Sequence, residues 1–264
     1  MPLLQPLGRT FLNGLSAIGR LALFTLRAVL LAIRPPYYPR LIIRQMIEIG
    51  YYSLPVVGMT AVFTGMVLAL QSYTGFARFN AETAIPNVVM LSICRELGPV
   101  MAGLMVAGRI GAAMAAELGT MRVTEQIDAL EASAVDSFRY LVVTRVIACV
   151  VALPILTTIM NFTGMLGGFI AETTANGMSL GLYFRRAFSL IDMTDYVPAT
   201  LKTMVFGFII ATTSSYLGFN TGSGTEGVGR ASTRAVVFSS ILIILANVLL
   251  VRIIFFAFPE AGGG

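Results

Sequence analysis

Four ionisable side chains stand where an apolar chain has little reason to keep them. Arg95, Glu96 and Arg109 fall inside a largely apolar run over 86–115, and Lys202, the only lysine, falls inside another over 197–219. Charges in such stretches are rare and face protein or a wet cavity, because hydrocarbon does not solvate them. Arg95 and Glu96 are adjacent, so on a helix they project about 100° apart and cannot neutralise each other along one face. A cross-helix pair of Glu96 with Lys202 is more economical, since both lie several residues inward from corresponding ends of their runs. That pairing leaves Arg95 directed toward a cavity or a lipid phosphate. The chemistry on offer is charge-assisted binding. Arg109 lies roughly 21 Å from Arg95 along a helix, and Arg252 sits near the end of the last run; both reach an interface by snorkelling.

Several hydrolytic chemistries are excluded. The chain has no histidine, which removes histidine zinc sites and Ser-His triads. No span contains an aspartate, so an intramembrane aspartyl mechanism lacks its residues. Cys94 and Cys149 both lie in apolar stretches, against a disulfide framework. "GSGTEG" (222–227) has the GxGxxG spacing, but it joins two apolar runs and has no strand before it, so it reads as a flexible loop. Asp192 and Asp195 lack a third metal ligand and read as a solvated loop. Lys202 follows Leu201 in place of the glycine that a phosphate-binding loop requires, so the chain has no Walker A motif.

The stretch "AELGTMRVTEQIDALE" (116–131) interrupts the apolar runs. Val123, Ile127, Leu130 and Ala134 recur at helical spacing as one apolar stripe, with Arg122, Glu125, Asp128 and Glu131 over the remaining surface. The expected element is a helix of about three turns, too short to cross a bilayer. Counting Glu117, it carries four acidic residues against one arginine. Acid is disfavoured near anionic lipid headgroups, so this helix is expected to dock into a protein.

The elements that must position these residues follow from composition. The 264 residues are 56% hydrophobic and 12% charged, with a mean hydropathy of +0.83. An all-α polytopic membrane protein is expected, because a spanning helix needs about 20 apolar residues. Five spans are read, at about 50–77, 86–115, 146–171, 197–219 and 235–258, and these form one transmembrane domain over 49–258. Residues 1–48 form an amphipathic region: Arg9, Arg20, Arg27 and Arg34 share one helical face, with Phe11, Leu15, Ile18, Leu23, Phe24, Leu30 and Leu31 elsewhere. This is the pattern of a helix lying in the membrane interface. "RPPYYPR" (34–40) breaks it. A polar stretch over 172–195 and a Gly/Ser/Thr loop over 220–233 separate the later spans. With the N-terminus inside, the inner connections hold eleven Arg and Lys against three outside. The positive-inside rule therefore puts 116–131 in the cytoplasm and the C-terminus outside. The net charge of +5 is explained by this topology without nucleic acid.

Within the second span, Gly103, Ala107, Gly111, Ala115 and Gly119 recur every fourth residue, a stripe for close helix packing. Pro55, Pro154, Gly164, Gly167 and Gly168 are candidate kinks or hinges. A lipid pocket needs apolar walls with a polar edge, and the outer half of the first span, with Leu68, Leu70, Gln71, Tyr73, Phe76 and Phe79, has that composition.

"RELGPVMAGLMVAGRIGAAMAAELGTMRVTEQIDALEASAVD" (95–136), with "GMVLALQSY" (65–73) and "GVGRASTRAVVFSS" (227–240), resembles the MlaE/YrbE family of ABC-transporter permeases. The resemblance covers nearly the whole chain from about residue 40. It implies an elbow helix followed by five spans, and a coupling helix at Glu117, Arg122, Val123, Glu125, Gln126, Ile127, Asp128, Leu130 and Glu131 that enters a groove on a separate cytoplasmic ATPase. It further implies a homodimer in the bacterial inner membrane, a periplasmic MCE-domain protein, a STAS-domain subunit in many relatives, and a phospholipid substrate. The polar cluster of Arg95, Glu96 and Lys202 would lie near the lipid cavity, itself formed at the dimer interface. No cofactor is expected in this chain; ATP and magnesium would be used by the ATPase. The competing expectation is a self-sufficient secondary transporter or channel working through Arg95, Glu96 and Lys202.

Overall fold

The computed structural model describes residues 4–222 and 224–257, and among these there is no strand. Helix α1 (Leu4–Ile33) ends at the predicted proline break, and α2 (Pro39–Ile49) restarts with Pro39 in its first turn. There the missing N–H of proline costs nothing. A short 3₁₀ turn, Tyr51–Ser53, leads into α3 (Leu54–Phe76). The second span is built from α4 (Ile85–Ser92), a π segment Ile93–Leu97, α5 (Gly98–Val106), a second π segment Ala107–Gly111, and α6 (Ala112–Val123). Next come α7 (Gln126–Ala132), a π segment Arg139–Val143 running into α8 (Thr144–Asn176), α9 (Leu180–Ala187), α10 (Met193–Phe219) and α11 (Gly224–Ala257).

Among the described residues, six helices have the length and composition to cross a membrane: Leu15–Ile33, Pro39–Phe79, Glu82–Val123, Arg139–Asn176, Met193–Phe219 and Gly224–Ile254. Four contain the predicted spans at about 50–77, 86–115, 146–171 and 197–219 and extend them at one or both ends, while the fifth, Gly224–Ile254, starts well before the predicted 235 and ends short of 258. The sixth is the stretch of α1 read as interfacial. Phe24 packs edge-on against Phe138 and Tyr216, at 4.8 and 5.5 Å between ring centroids, and also meets Phe219. Those partners stand at the start of the third span and the end of the fourth, so α1 packs over helix ends on the α7 side of the bundle. On the predicted arginine face, the Arg27 guanidinium lies 4.5 Å over the Phe138 ring, a cation–π contact within the protein. The side chains of Arg9 and Phe11 lie outside the described residues, as does residue 258.

Two connections are more structured than predicted. The 220–233 loop is confined to a short turn, because α11 already starts at Gly224 and buries Ala231 and Ala235. An i,i+4 pair of Glu226 with Arg230 supports that first turn. The 172–195 stretch contains the rest of α8 and all of α9, whose Tyr183 and Ala187 are buried against Met90, Cys94 and Met165.

The core centres on α8, which packs against α3 on one side and α10 on the other. A Cβ on Gly65 would stand 1.8 Å from the Gly164 carbonyl oxygen, and one on Gly167 would stand 2.0 Å from that of Val62. The glycines of α8 read as hinges are therefore points of backbone contact with α3. The small-residue stripe behaves as expected: Gly103 faces Phe206 and Ile243, Gly111 faces Ser214 and Ile210, and Ala107 and Ala115 are fully buried. Outward faces of α3 (Met59, Phe63, Val67) and α11 (Leu245, Val248, Leu249) stay exposed and apolar, suited to lipid or another apolar surface.

Candidate functional site

The charged cluster is assembled by a proline. Pro99 has no N–H and cannot return the i−4 hydrogen bond to the Arg95 carbonyl. The chain around it winds as a π turn, with Gly98 N–H bonded to the Ile93 carbonyl. The Arg95 carbonyl instead accepts from Lys202 Nζ at 2.7 Å. The same ammonium donates to Glu96 Oε1 at 2.9 Å, the predicted pair. Asn247 on α11 donates through Nδ2 to Glu96 Oε2 at 3.0 Å. Three membrane elements thus meet on one carboxylate. Lys202 is buried whereas the Glu96 side chain is 43% exposed, so the cluster borders a space. That space is a recess of about 500 Å³ between the second span and α11, with Ser92, Arg95, Glu96 and Asn247 at its polar edge and Val248 and Val251 on its wall.

Arg95 does not point unpaired into a cavity. Its guanidinium contacts Asp195 Oδ1, with Nε at 3.0 Å, and the Asp195 side chain is only 8% exposed. Asp195, read as part of a solvated loop, belongs to the first turn of α10 and is drawn in by this pair, while Asp192 at the helix cap stays exposed. Arg109 is held as well: Nη1 donates to Ser53 Oγ at 2.7 Å. Asp195 and Asn247 carried no signal in the sequence, because an inward aspartate or asparagine at a helix end has the same local pattern as a solvated one.

The wall predicted on the first span divides. Leu68, Tyr73 and Phe76 pack against a core of Ala69, Ile85, Val89, Ile93 and Ala171, while Leu70, Gln71 and Phe79 face outward. Among the described residues, none of these six lines the recess at Arg95 and Glu96.

The charged segment at the opposite end also departs from the predicted three-turn helix. α6 runs on to Val123, and Glu125 takes a left-handed backbone, φ 59°. The helix that follows is only seven residues long, and Ala134 turns left-handed at φ 60°. Val123, Ile127, Leu130 and Ala134 therefore do not share one helix. So short a helix does not hold itself in water. It is anchored by Ile127, 1% exposed against Leu118 and Leu141, with Leu130 beside it. The apolar side faces its own protein, while Val123, Glu125, Gln126, Asp128 and Glu131 are exposed. Arg122 reaches over the turn to Asp128 at 2.6 Å, and Ser137 donates to Glu131 at 2.6 Å. Glu117 pairs at 2.7 Å with Arg145, whose side chain is buried on α8. Arg145 lies one residue outside the predicted span of 146–171, and nothing local distinguishes it from a loop arginine.

Among the described residues, no group of three or more His, Cys, Asp or Glu side chains is placed to hold a metal ion. Chemically, the arrangement offers an ion-paired lining beside an apolar recess at one end, and at the other a rigidly mounted acidic surface.

The model of the family described as "Permease MlaE" matches residues 42–253. A probable ABC transporter permease protein of Rickettsia bellii is 49% identical over 249 residues, 94% of this chain and 96% of the relative. The intermembrane phospholipid transport system permease protein MlaE of Haemophilus influenzae is 31% identical over 253 residues, 96% of this chain and 97% of the relative. The chloroplastic protein TRIGALACTOSYLDIACYLGLYCEROL 1 of Arabidopsis thaliana is 38% identical over 208 residues, 79% of this chain and 59% of that protein. With both ends of the bundle inside the matched region, this chain belongs to the MlaE family of ABC-transporter permeases.

Proposed function

We propose that this chain is the membrane subunit of an ATP-driven transporter that moves phospholipids between the inner and outer membranes of a bacterium, working as a homodimer in the inner membrane. It hydrolyses nothing itself: ATP, with magnesium, is used by a separate cytoplasmic ATPase. The observation that carries this reading is the segment Val123–Glu131, a short acidic surface mounted on the bundle by Ile127 and by the Glu117–Arg145 pair. A lever of this kind transmits force only if it is stiff where it meets the motor. Glu125, Gln126 and Asp128 are the residues assigned to that contact, and Ile127 and Leu130 hold the segment to its own chain.

The N-terminus and α7 are assigned to the cytoplasm and the C-terminus to the periplasm, as the arginine distribution requires. A periplasmic MCE-domain protein would receive or deliver lipid at the far end, and a STAS-domain subunit would bind the cytoplasmic assembly. The recess beside Arg95, Glu96 and Asn247 is assigned to the lipid path, with the exposed faces of α3 and α11 available to the second copy. The alternative, a transporter driven through Arg95, Glu96 and Lys202 alone, is less favoured because all three are engaged in pairs.

The test is to purify the chain with its ATPase and compare ATP turnover and lipid transfer between vesicles with and without Glu125→Arg plus Asp128→Arg. Loss of both activities with an intact membrane subunit is expected. Undiminished coupling would overturn the reading.

A further inference from the structure

A second cavity, of about 350 Å³, opens between α8 and the α9–α10 connection. It has no lining residue in common with the recess at Arg95 and Glu96. Met90, Cys94 and Met165 form its inner wall, and Phe162, Phe188 and Met193 stand at its opening. Phe162 and Thr158 continue the exposed face of α8 that begins with Val151 and Ile155. The cavity therefore opens sideways, toward the lipid-facing surface of the bundle.

One lining residue is out of keeping with an empty greasy gap. Asn161 is 3% exposed, and neither its amide nitrogen nor its amide oxygen has a hydrogen-bond partner. A buried amide in hydrocarbon without a partner is costly. The structure accommodates it deliberately: Oδ1 lies 1.8 Å from where a Cβ on Gly98 would stand, a position only glycine leaves open. The other polar groups on the wall are already satisfied, since Thr158 donates to the Pro154 carbonyl and accepts from the Tyr196 hydroxyl.

Access and charge narrow the occupant. α8 and α10 run antiparallel, with Gly207 against Cys149 and Tyr196 against Thr158. That register sets Asn161 level with the first turn of α10. The only charged lining residue is Asp192, an acid at the rim, so the cavity has nothing to hold a phosphate. We propose that this cavity is a lipid site within each protomer, holding one acyl chain of a membrane glycerolipid whose ester carbonyl accepts a hydrogen bond from Asn161. The site does not rest on the transport reading; it requires only a bilayer.

The test uses the full chain purified from membranes with a benzophenone amino acid at Phe162, and separately at Val151 on the same exposed face but outside the cavity. After detergent washing and illumination, diacyl-glycerolipid adducts are counted by mass spectrometry. Adduct at 162 is expected to exceed that at 151, and Asn161→Leu is expected to cut it about threefold or more with an unchanged gel-filtration profile. Equal adduct at 162 and 151, meaning surface lipid only, would overturn the site, as would a yield at 162 indifferent to Asn161→Leu. If that variant does not fold, the label at Phe188 replaces it: adduct at 188 above that at 151 supports the site, and adduct no higher than at 151 overturns it.

Discussion

Lys202 Nζ donates to the Arg95 carbonyl at 2.7 Å, and that carbonyl is the one Pro99 cannot serve four residues later. The buried ammonium is therefore held by two acceptors on one turn, a backbone oxygen freed by sequence and the Glu96 carboxylate. Proline, π turn and lysine form a single device joining the second and fourth spans.

Lys202→Met should destabilise the protein by about 2 kcal/mol, less than the full cost of breaking a buried pair because Glu96 keeps partial contact with solvent. Thermal unfolding in detergent measures this. Adding Glu96→Gln should recover part of the loss, and a double-mutant cycle isolates the coupling. Additive losses would show that the two side chains act separately.

Glu125→Gly should stabilise the fold by up to about 1 kcal/mol, since glycine adopts the left-handed backbone without the cost borne by glutamate. The same change removes a carboxylate from the surface assigned to the ATPase. Stability should therefore rise while ATPase retention on co-purification falls, and parallel melting and pull-down experiments separate the two effects.

Arg145→Met leaves Glu117 able to turn to solvent but removes the anchor of α6 on α8. We expect lipid retained by the purified chain to be unchanged while lipid-dependent ATP turnover of the complex falls. Arg145→Lys should restore part of that turnover, since an ammonium keeps the charge but not the second donor to the Leu141 carbonyl.

Gly65→Ala should cost about 1–3 kcal/mol, because its methyl would meet the Gly164 carbonyl and the helices must separate. Gly75→Ala, at a position with open space around it, serves as the control and should leave the melting temperature unchanged or slightly raised.

Burial raises the Tyr183 hydroxyl above its ordinary value of 10.0, with Glu172 adding to the shift. An acid whose folded-state value is raised stabilises the fold fully below its unfolded value, and that contribution is lost as pH climbs above 10.0. Ultraviolet titration should find one tyrosine ionising late, and Tyr183→Phe should abolish that late step. The variant should also flatten the alkaline fall in stability, since the buried hydroxyl has no hydrogen-bond partner to lose.

The spans were legible because an apolar run long enough to cross a bilayer has few other meanings. The Glu96–Lys202 pair was legible because two lone charges at matching depths need each other. The Asp195 and Asn247 contacts were not, since they depend on how α10 and α11 are rotated about their axes. The break at Glu125 was hidden for a different reason: helical spacing over Val123, Ile127 and Leu130 is indifferent to one residue with positive φ, which turns Val123 away from the others. Arg145 fell outside the predicted third span because the helix starts earlier than its first uncharged run. Predicted wall residues such as Tyr73 and Phe76 are amphipathic enough to face lipid, but α4 and α8 cover them first.

The backbones of α3 and α8 touch at Gly65 with Gly164 and at Val62 with Gly167, leaving no thickness of side chain between them to shear or re-pack. These two helices must travel as a single slab whenever the protein changes shape. Any opening of the bundle is thereby steered to seams padded by larger side chains, foremost the one beside α11, where Ile243 and its neighbours can slide over the second span.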